Sequence, residues 1–163
     1  MTQERQVPPS ESDSVRRRPT RARWIVSERT GRWAIALRRE AGGEGPRLFE
    51  TRSLPDAWSM LERFPASFLV AELTAAGADA LMNRMAQLRQ DYPGARIAVV
   101  ADRALADWEW LCREGGAVWF ATSAREVRPI VAVARRHLCL VPPADDFLEG
   151  LWDRLPWKPA GER

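Results

Sequence analysis

Two hydrophobic patterns alternate along the chain. One is the short, nearly continuous apolar run, which suits a strand buried on both faces; the other repeats apolar residues every three or four positions, which suits a helix with one buried stripe. Trp24-Ile25-Val26 opens the series as a short strand. Thr30 to Ala41 reads as a helix with Trp33, Ala34, Leu37 and Ala41 on one face, stopped by Gly42, Gly43, Gly45 and Pro46. Arg47 to Thr51 is a weaker, edge-like strand. Ser53 is placed to cap the next helix, with Pro55 in its first turn and Ala57, Trp58, Leu61 and Phe64 on its buried side. Phe68 to Leu73 (FLVAEL) is an almost unbroken apolar strand. Asp79 to Gln90 follows as a helix with Leu81, Met85 and Leu88 inward, ended by Pro93-Gly94. Ile97 to Ala101 (IAVVA) is the fourth strand. The spacing then predicts one helix from Ala104 to Arg113, with Leu105, Trp108 and Leu111 inward, and a turn at Gly115-Gly116. Ala117 to Ala121 (AVWFA) is the fifth strand. Ser123 and Glu126 have capping-box spacing before a last helix that reaches about Leu138, although Pro129 allows the helix to begin near Arg128 or to kink.

Five strands alternating with five helices imply an α/β fold, a doubly wound five-stranded parallel sheet. The expected strand order is 2-1-3-4-5, with a crevice at the carboxyl ends of the first and third strands. Residues that fall at this crevice are Ser27, Glu28 and Arg29 after the first strand, Glu72 in the third, Val100 and Asp102 at the fourth, and Thr122 after the fifth.

Composition adds a boundary at each end. A chain of 163 residues with 45% hydrophobic content and eight tryptophans supports one core, and about 120 residues suffice to bury it. Residues 1–23 carry six arginines against Glu4, Glu11 and Asp13, so the net charge of +3 belongs to this arm. The arm has three prolines and no aromatic residue before Trp24, a composition that cannot bury enough surface to fold alone. The expected organisation is a disordered Arg-rich arm over 1–22, a folded domain over 23–139, and a tail over 140–163. An Arg-rich arm can touch nucleic acid through counterion release, but solubilisation is the plainer reading. No run of 18 apolar residues and no apolar leader segment is present, and Cys112 and Cys139 make no disulfide framework; a cytoplasmic protein with no membrane partner is expected. His137, the one histidine, lies near a helix end, where the helix dipole favours a cation; alone it makes neither a metal site nor a catalytic base. No phosphate-binding glycine loop and no GxSxG nucleophile motif occurs.

At residues 23–138 the sequence resembles the receiver domain of bacterial two-component signalling. FPASFLVAELTAAGADALMNRMAQLRQDYPGARIAVVAD carries its pattern of strand, Gly-x-Asp loop, helix, Pro-Gly turn and strand; REGGAVWFATSAREVRPIVAVARRHL carries its last strand and helix; RWIVSERTGRWAIALRRE carries its first. The resemblance implies a flavodoxin-like receiver fold. It also implies roles that these residues depart from. Glu72 stands where the family's phosphoacceptor Asp ends the third strand. Ser27 and Glu28 stand where two acids hold Mg²⁺. Val100 replaces a Ser or Thr that contacts the phosphoryl group, and Thr122-Ser123 replaces a Lys-Pro pair. Phosphoryl transfer depends on positioning and on neutralising charge on the equatorial oxygens, so a site without the Lys and with a Val for the hydroxyl loses both aids. Glu28 and Glu72 could still offer two carboxylates to an octahedral ion, but Glu72 reaches one methylene farther than an Asp. Glu72 then reads either as an inherited carboxylate in a wet crevice or as a fixed stand-in for a phosphorylated Asp.

The tail has a signal of its own. After Pro142-Pro143, Leu148, Leu151, Trp152 and Leu155 have the spacing of an apolar helical stripe, with Trp157 beyond Pro156. The stripe either packs back on the domain or enters a partner's groove. Trp110, two residues after the inward Trp108, points outward beside the fifth-strand Trp119. The sequence therefore reads as a non-enzymatic pseudo-receiver without cofactor or metal. It binds another protein or a second copy through Trp110, Trp119, Trp152 and Trp157, on the face of the fourth helix and fifth strand and on the tail. The alternatives are a metal- or small-ligand-dependent enzyme using the crevice around Glu28 and Glu72, and, more weakly, a nucleic-acid binder acting through the arm.

Overall fold

In a computed structural model that describes residues 22–43 and 45–141, five strands form one all-parallel sheet in the order β2-β1-β3-β4-β5. The strands are β1 Trp24–Ser27, β2 Leu48–Thr51, β3 Phe68–Leu73, β4 Arg96–Ala101 and β5 Ala117–Ala121. The helices are α1 Arg32–Ala41, α2 Leu54–Arg63, α3 Ala78–Asp91, α4 Glu109–Glu114 and α5 Arg128–Leu140. Apolar side chains alternate between the two faces of the sheet. Ile25, Leu69, Ala71, Ile97 and Val99 pack with α2, α3 and the buried Cys112 of α4. Trp24, Val26, Phe68, Val70, Ala98 and Val100 pack with α1 and α5. Both faces are covered, so apart from Glu72 near the end of β3 and Arg96 at the start of β4 these two strands are apolar at successive positions rather than at every second one.

Most helical stripes fall where periodicity puts them. Trp33, Ala34, Leu37 and Ala41 of α1 are buried, as are Ala57, Trp58 and Leu61 of α2, and Leu81, Met85 and Leu88 of α3. Ser53 caps α2, its hydroxyl accepting from the Asp56 N–H at 3.2 Å. Helix α1 starts at Arg32 rather than Thr30. Gly31 takes the left-handed conformation at φ 85°, which a residue with a Cβ adopts only at a cost of about 1 kcal/mol or more.

Two elements differ from expectation. The stretch expected as one helix from Ala104 to Arg113 is a 3₁₀ segment, Arg103–Trp108, followed by the short α4, with non-helical φ/ψ at Leu105. Leu105 and Trp108 stay against the core, and only the last position of the inward stripe changes. Cys112 is buried, Trp108 is half-buried against the core, and Leu111, expected inward, is 41% exposed. The Ser123–Glu126 pair forms a turn, with the Glu126 N–H donating to the Ser123 carbonyl, and α5 begins at Arg128 with Pro129 in its first turn. Pro lacks the N–H that a first turn leaves unpaired anyway, so it starts this helix without bending it. Among the described residues no helix is long and apolar enough to cross a membrane. Trp152 and Trp157 lie outside the described residues.

Candidate functional site

The crevice at the carboxyl ends of β1 and β3 brings the sequence candidates together. Glu28 follows β1 and is only 2% exposed. The left-handed Gly31 turns the chain back over it, and its two carboxylate oxygens accept from the first turn of α1, from Trp33 N–H at 2.9 Å and Ala34 N–H at 2.5 Å. Those are the second and third helical positions, whose N–H groups have no partner within the helix. Gly31 offers no side chain for the task, and Glu28 does it from three residues upstream. Its negative charge also sits at the positive end of the helix dipole.

Glu72 is half-buried on β3, in register with Val100 of β4. Its Oε2 accepts from the Arg29 N–H at 2.9 Å, which ties the β1–α1 loop to β3. Asp102, just beyond β4, pairs with Arg32 at 2.8 Å. The same guanidinium lies 4.7 Å over the Trp33 ring. The Arg32–Asp102 pair therefore bridges the crevice from the β1–α1 loop to the end of β4. Both side chains are largely exposed, so the pair positions the loops more than it stabilises the fold. Ser27 is buried at the end of β1, Val100 is wholly buried in the core layer with α1 and α5, and Thr122 is half-buried after β5.

Of this donor set, Glu28 has no oxygen left for a Mg²⁺ ion. An octahedral ion needs carboxylate oxygens free to face it. Both oxygens of Glu28 are committed to backbone N–H groups, whereas Glu72 gives only Oε2 to the Arg29 N–H and Asp102 only Oδ1 to the Arg32 guanidinium. Among the described residues no group of three His, Cys, Asp or Glu is gathered for a metal. Glu28 likewise has no free oxygen with which to join Glu72 in acid–base chemistry. Sequence position found these carboxylates but not their partners. The signal for Glu28 was an acidic residue just ahead of a helix start, and the cross-loop role of Arg32 had no local signal.

The other candidates lie away from the crevice. Trp110 is 71% exposed on α4, beside Leu111. Trp119 is half-buried in the edge strand β5, with the Arg113 guanidinium 5.1 Å above its ring. A register shift between Ile97 and Ala98 lets Val118 bulge from the β4–β5 ladder, a common device for an edge strand. His137 does not take the cationic role that its helix-end position suggested. Its Nε2 lies 2.9 Å from the Ala66 carbonyl, its ring is tilted against Phe68 with centroids 5.9 Å apart, and burial lowers its pKa. Arg96 adds to the lowering, and the bond to Ala66 partly opposes it. Desolvation outweighs the dipole here, because the ring lies in the groove between α5 and the sheet rather than in solvent.

The sequence matches no protein-family model and no curated protein. Its three-dimensional structure is similar to several solved ones. A response regulator from Thermotoga maritima superposes with a TM-score of 0.58 at 13% identity, over 72% of this chain and 98% of that one. A CheY-like protein, tadZ, from Pseudomonas aeruginosa PAO1 gives 0.56 at 15% identity, over 74% and 96%. A response regulator from Burkholderia pseudomallei, solved with a phosphorylated aspartic acid, a calcium ion and citrate, gives 0.55 at 22% identity, over 78% and 74%. These likenesses, together with the strand order and the crevice at β1 and β3, give this chain the receiver fold of response regulators.

Proposed function

We propose that this chain is a receiver-like signalling or scaffold module that acts through protein contacts without phosphorylation. The observation that carries this reading is the state of the crevice carboxylates. Glu28 has both oxygens engaged by backbone N–H groups, and Glu72 and Asp102 have one oxygen each engaged, by a backbone N–H and by a guanidinium. A phosphoacceptor site must hold a cation beside the acceptor carboxylate, and Glu28, the acid that follows β1, has no oxygen left to bind one. Glu72 fits a fixed structural carboxylate, and Val100, buried beside it in register, has no hydroxyl with which to sense a change there.

The partner in this reading is another protein or a second copy of the chain, met through the exposed Trp110 and Leu111 of α4 and the adjoining β5. A cytoplasmic setting suits two cysteines that stay free, Cys112 buried and Cys139 exposed. Incubation with acetyl phosphate and Mg²⁺ followed by intact-mass spectrometry tests the phosphorylation claim. We expect no added mass. A stoichiometric gain of one phosphoryl group that disappears in Glu72→Gln would overturn it.

A further inference from the structure

A second depression lies at the opposite, amino end of the sheet. It has a volume of about 500 Å³ and runs between the last turns of α5 and the starts of β4 and β5. Val118, Val133, Leu140 and Val141 give it apolar walls, and Arg96 and Arg136 stand at its rim. Leu140 is 69% exposed there, a large apolar side chain with no cover among the described residues. Neither rim arginine forms an ion pair among the described residues. The Arg96 guanidinium donates to the Pro93 and Ala95 carbonyls, which hold its charge in place at the rim.

We propose that residues 144–157 of this same chain occupy the groove. Val141, the last residue described, is itself part of its wall, so the segment begins at the site it would fill. The two intervening prolines span at most about 7 Å, so Ala144 starts within reach of the groove. Tethering at zero distance gives the segment a large effective concentration over any free partner. Its chemistry is complementary on both counts. Leu148, Leu151, Trp152 and Leu155 follow the i, i+3, i+4, i+7 spacing that places them on one helical face. Asp145, Asp146, Glu149 and Asp153 against a single Arg154 make the segment acidic where the rim is basic. Burial of Leu140 with this stripe removes the largest apolar exposure at the carboxyl end of α5. The inference is independent of the phosphorylation reading, since it concerns the other end of the sheet.

Cross-linking in the full-length chain tests it. In a Cys139→Ser background, Val133→Cys in the groove is combined with Leu151→Cys in the segment. A control pair joins Leu151→Cys with Ala86→Cys, an exposed position of α3 on the opposite face of the sheet. Cys112 is buried, with its thiol pushed up to about 11, and stays silent. With a short bis-maleimide we expect the groove pair to close within one chain at least about tenfold faster than the control, as a raised effective concentration requires. Adding Trp152→Asp or Arg136→Glu is expected to bring the rate down toward the control. Equal rates for the two pairs would overturn the proposal, and so would groove cross-links found only between two chains, which would make a second copy the occupant.

Discussion

Glu28 shows how one side chain can look like a ligand in the sequence and be a cap in the fold. Its carboxylate serves two N–H groups in a site that water does not reach, so its loss leaves both donors unpaired and buried. Glu28→Ala is expected to lower stability by about 2 kcal/mol, and Glu28→Gln by less, because the amide oxygen still accepts one bond. Urea unfolding measures both; an Ala variant within about 0.5 kcal/mol of the parent would mean that α1 does not need this cap. The sequence showed that an acid stood at the crevice. It did not show that Gly31 turns the backbone so that the acid faces the helix start, because φ/ψ at a glycine leaves no mark in hydrophobic patterning. His137 was misjudged for a related reason: helix position was legible, burial of that face was not. The sign of its pH effect follows from the lowered pKa. Above the unfolded value of 6.5 the ring is neutral in both states and stability is at its full level. As pH falls below 6.5 the unfolded chain takes up the proton first, so stability declines, and it levels off once pH has passed below the folded value. As the only histidine, His137 is the one side chain of ordinary pKa in that window. Thermal melts across it should slope for the parent and flatten for His137→Gln; equal slopes would show that the ring is not effectively buried.

At the scale of elements, length and continuity decided what could be read. The runs FLVAEL and IAVVA fix β3 and β4 because parallel strands covered on both faces favour successive apolar residues, with Glu72 only near the carboxyl end of β3. Long helices such as α3 average out local irregularity, so their stripes appear where periodicity puts them. The stretch from Arg103 to Glu114 is too short for that: it is broken at Leu105, and although Leu105 and Trp108 still pack on the core, Cys112 rather than Leu111 continues the stripe. The exposed Leu111 next to Trp110 gives α4 an apolar outer surface instead of a lone exposed tryptophan. Trp110 makes little burial in the monomer, so Trp110→Ala should change stability by no more than about 0.5 kcal/mol. The buried Trp58 or Trp33 sets the contrast, with a cost of about 3–5 kcal/mol on truncation. If the α4 surface pairs two copies, Trp110→Ala should weaken self-association by about 2 kcal/mol, roughly thirtyfold, in sedimentation velocity across a concentration series. Identical sedimentation of parent and variant over that series would remove the second copy as the partner on this face and leave a different protein.

For the whole molecule, the strand order was legible because a doubly wound sheet with five βα units has few allowed connections. The chemistry was less so. Patterning places residues at a crevice, whereas the pairing of Arg32 with Asp102, seventy residues apart, is set only once β1 and β4 flank β3. The folded unit is anchored at its amino end by Arg23. Its N–H donates to Ser67 Oγ at 2.9 Å, its carbonyl accepts from the Phe68 N–H at 2.9 Å, and its guanidinium lies between the Phe49 and Phe64 rings at 4.8 and 4.7 Å. These contacts fix Arg23 at the start of the sheet, while residues 1–21 lie outside the described residues. Their composition, with Met1, Val7 and Val15 among charged and polar residues, offers too little apolar surface to fold alone. A chain beginning at Ala22 is expected to melt at the temperature of the full-length protein. For a domain of this size a drop of about 5 °C corresponds to roughly 1 kcal/mol or more, and a fall that large would mean the arm packs on the domain and that the folded unit does not begin at Arg23.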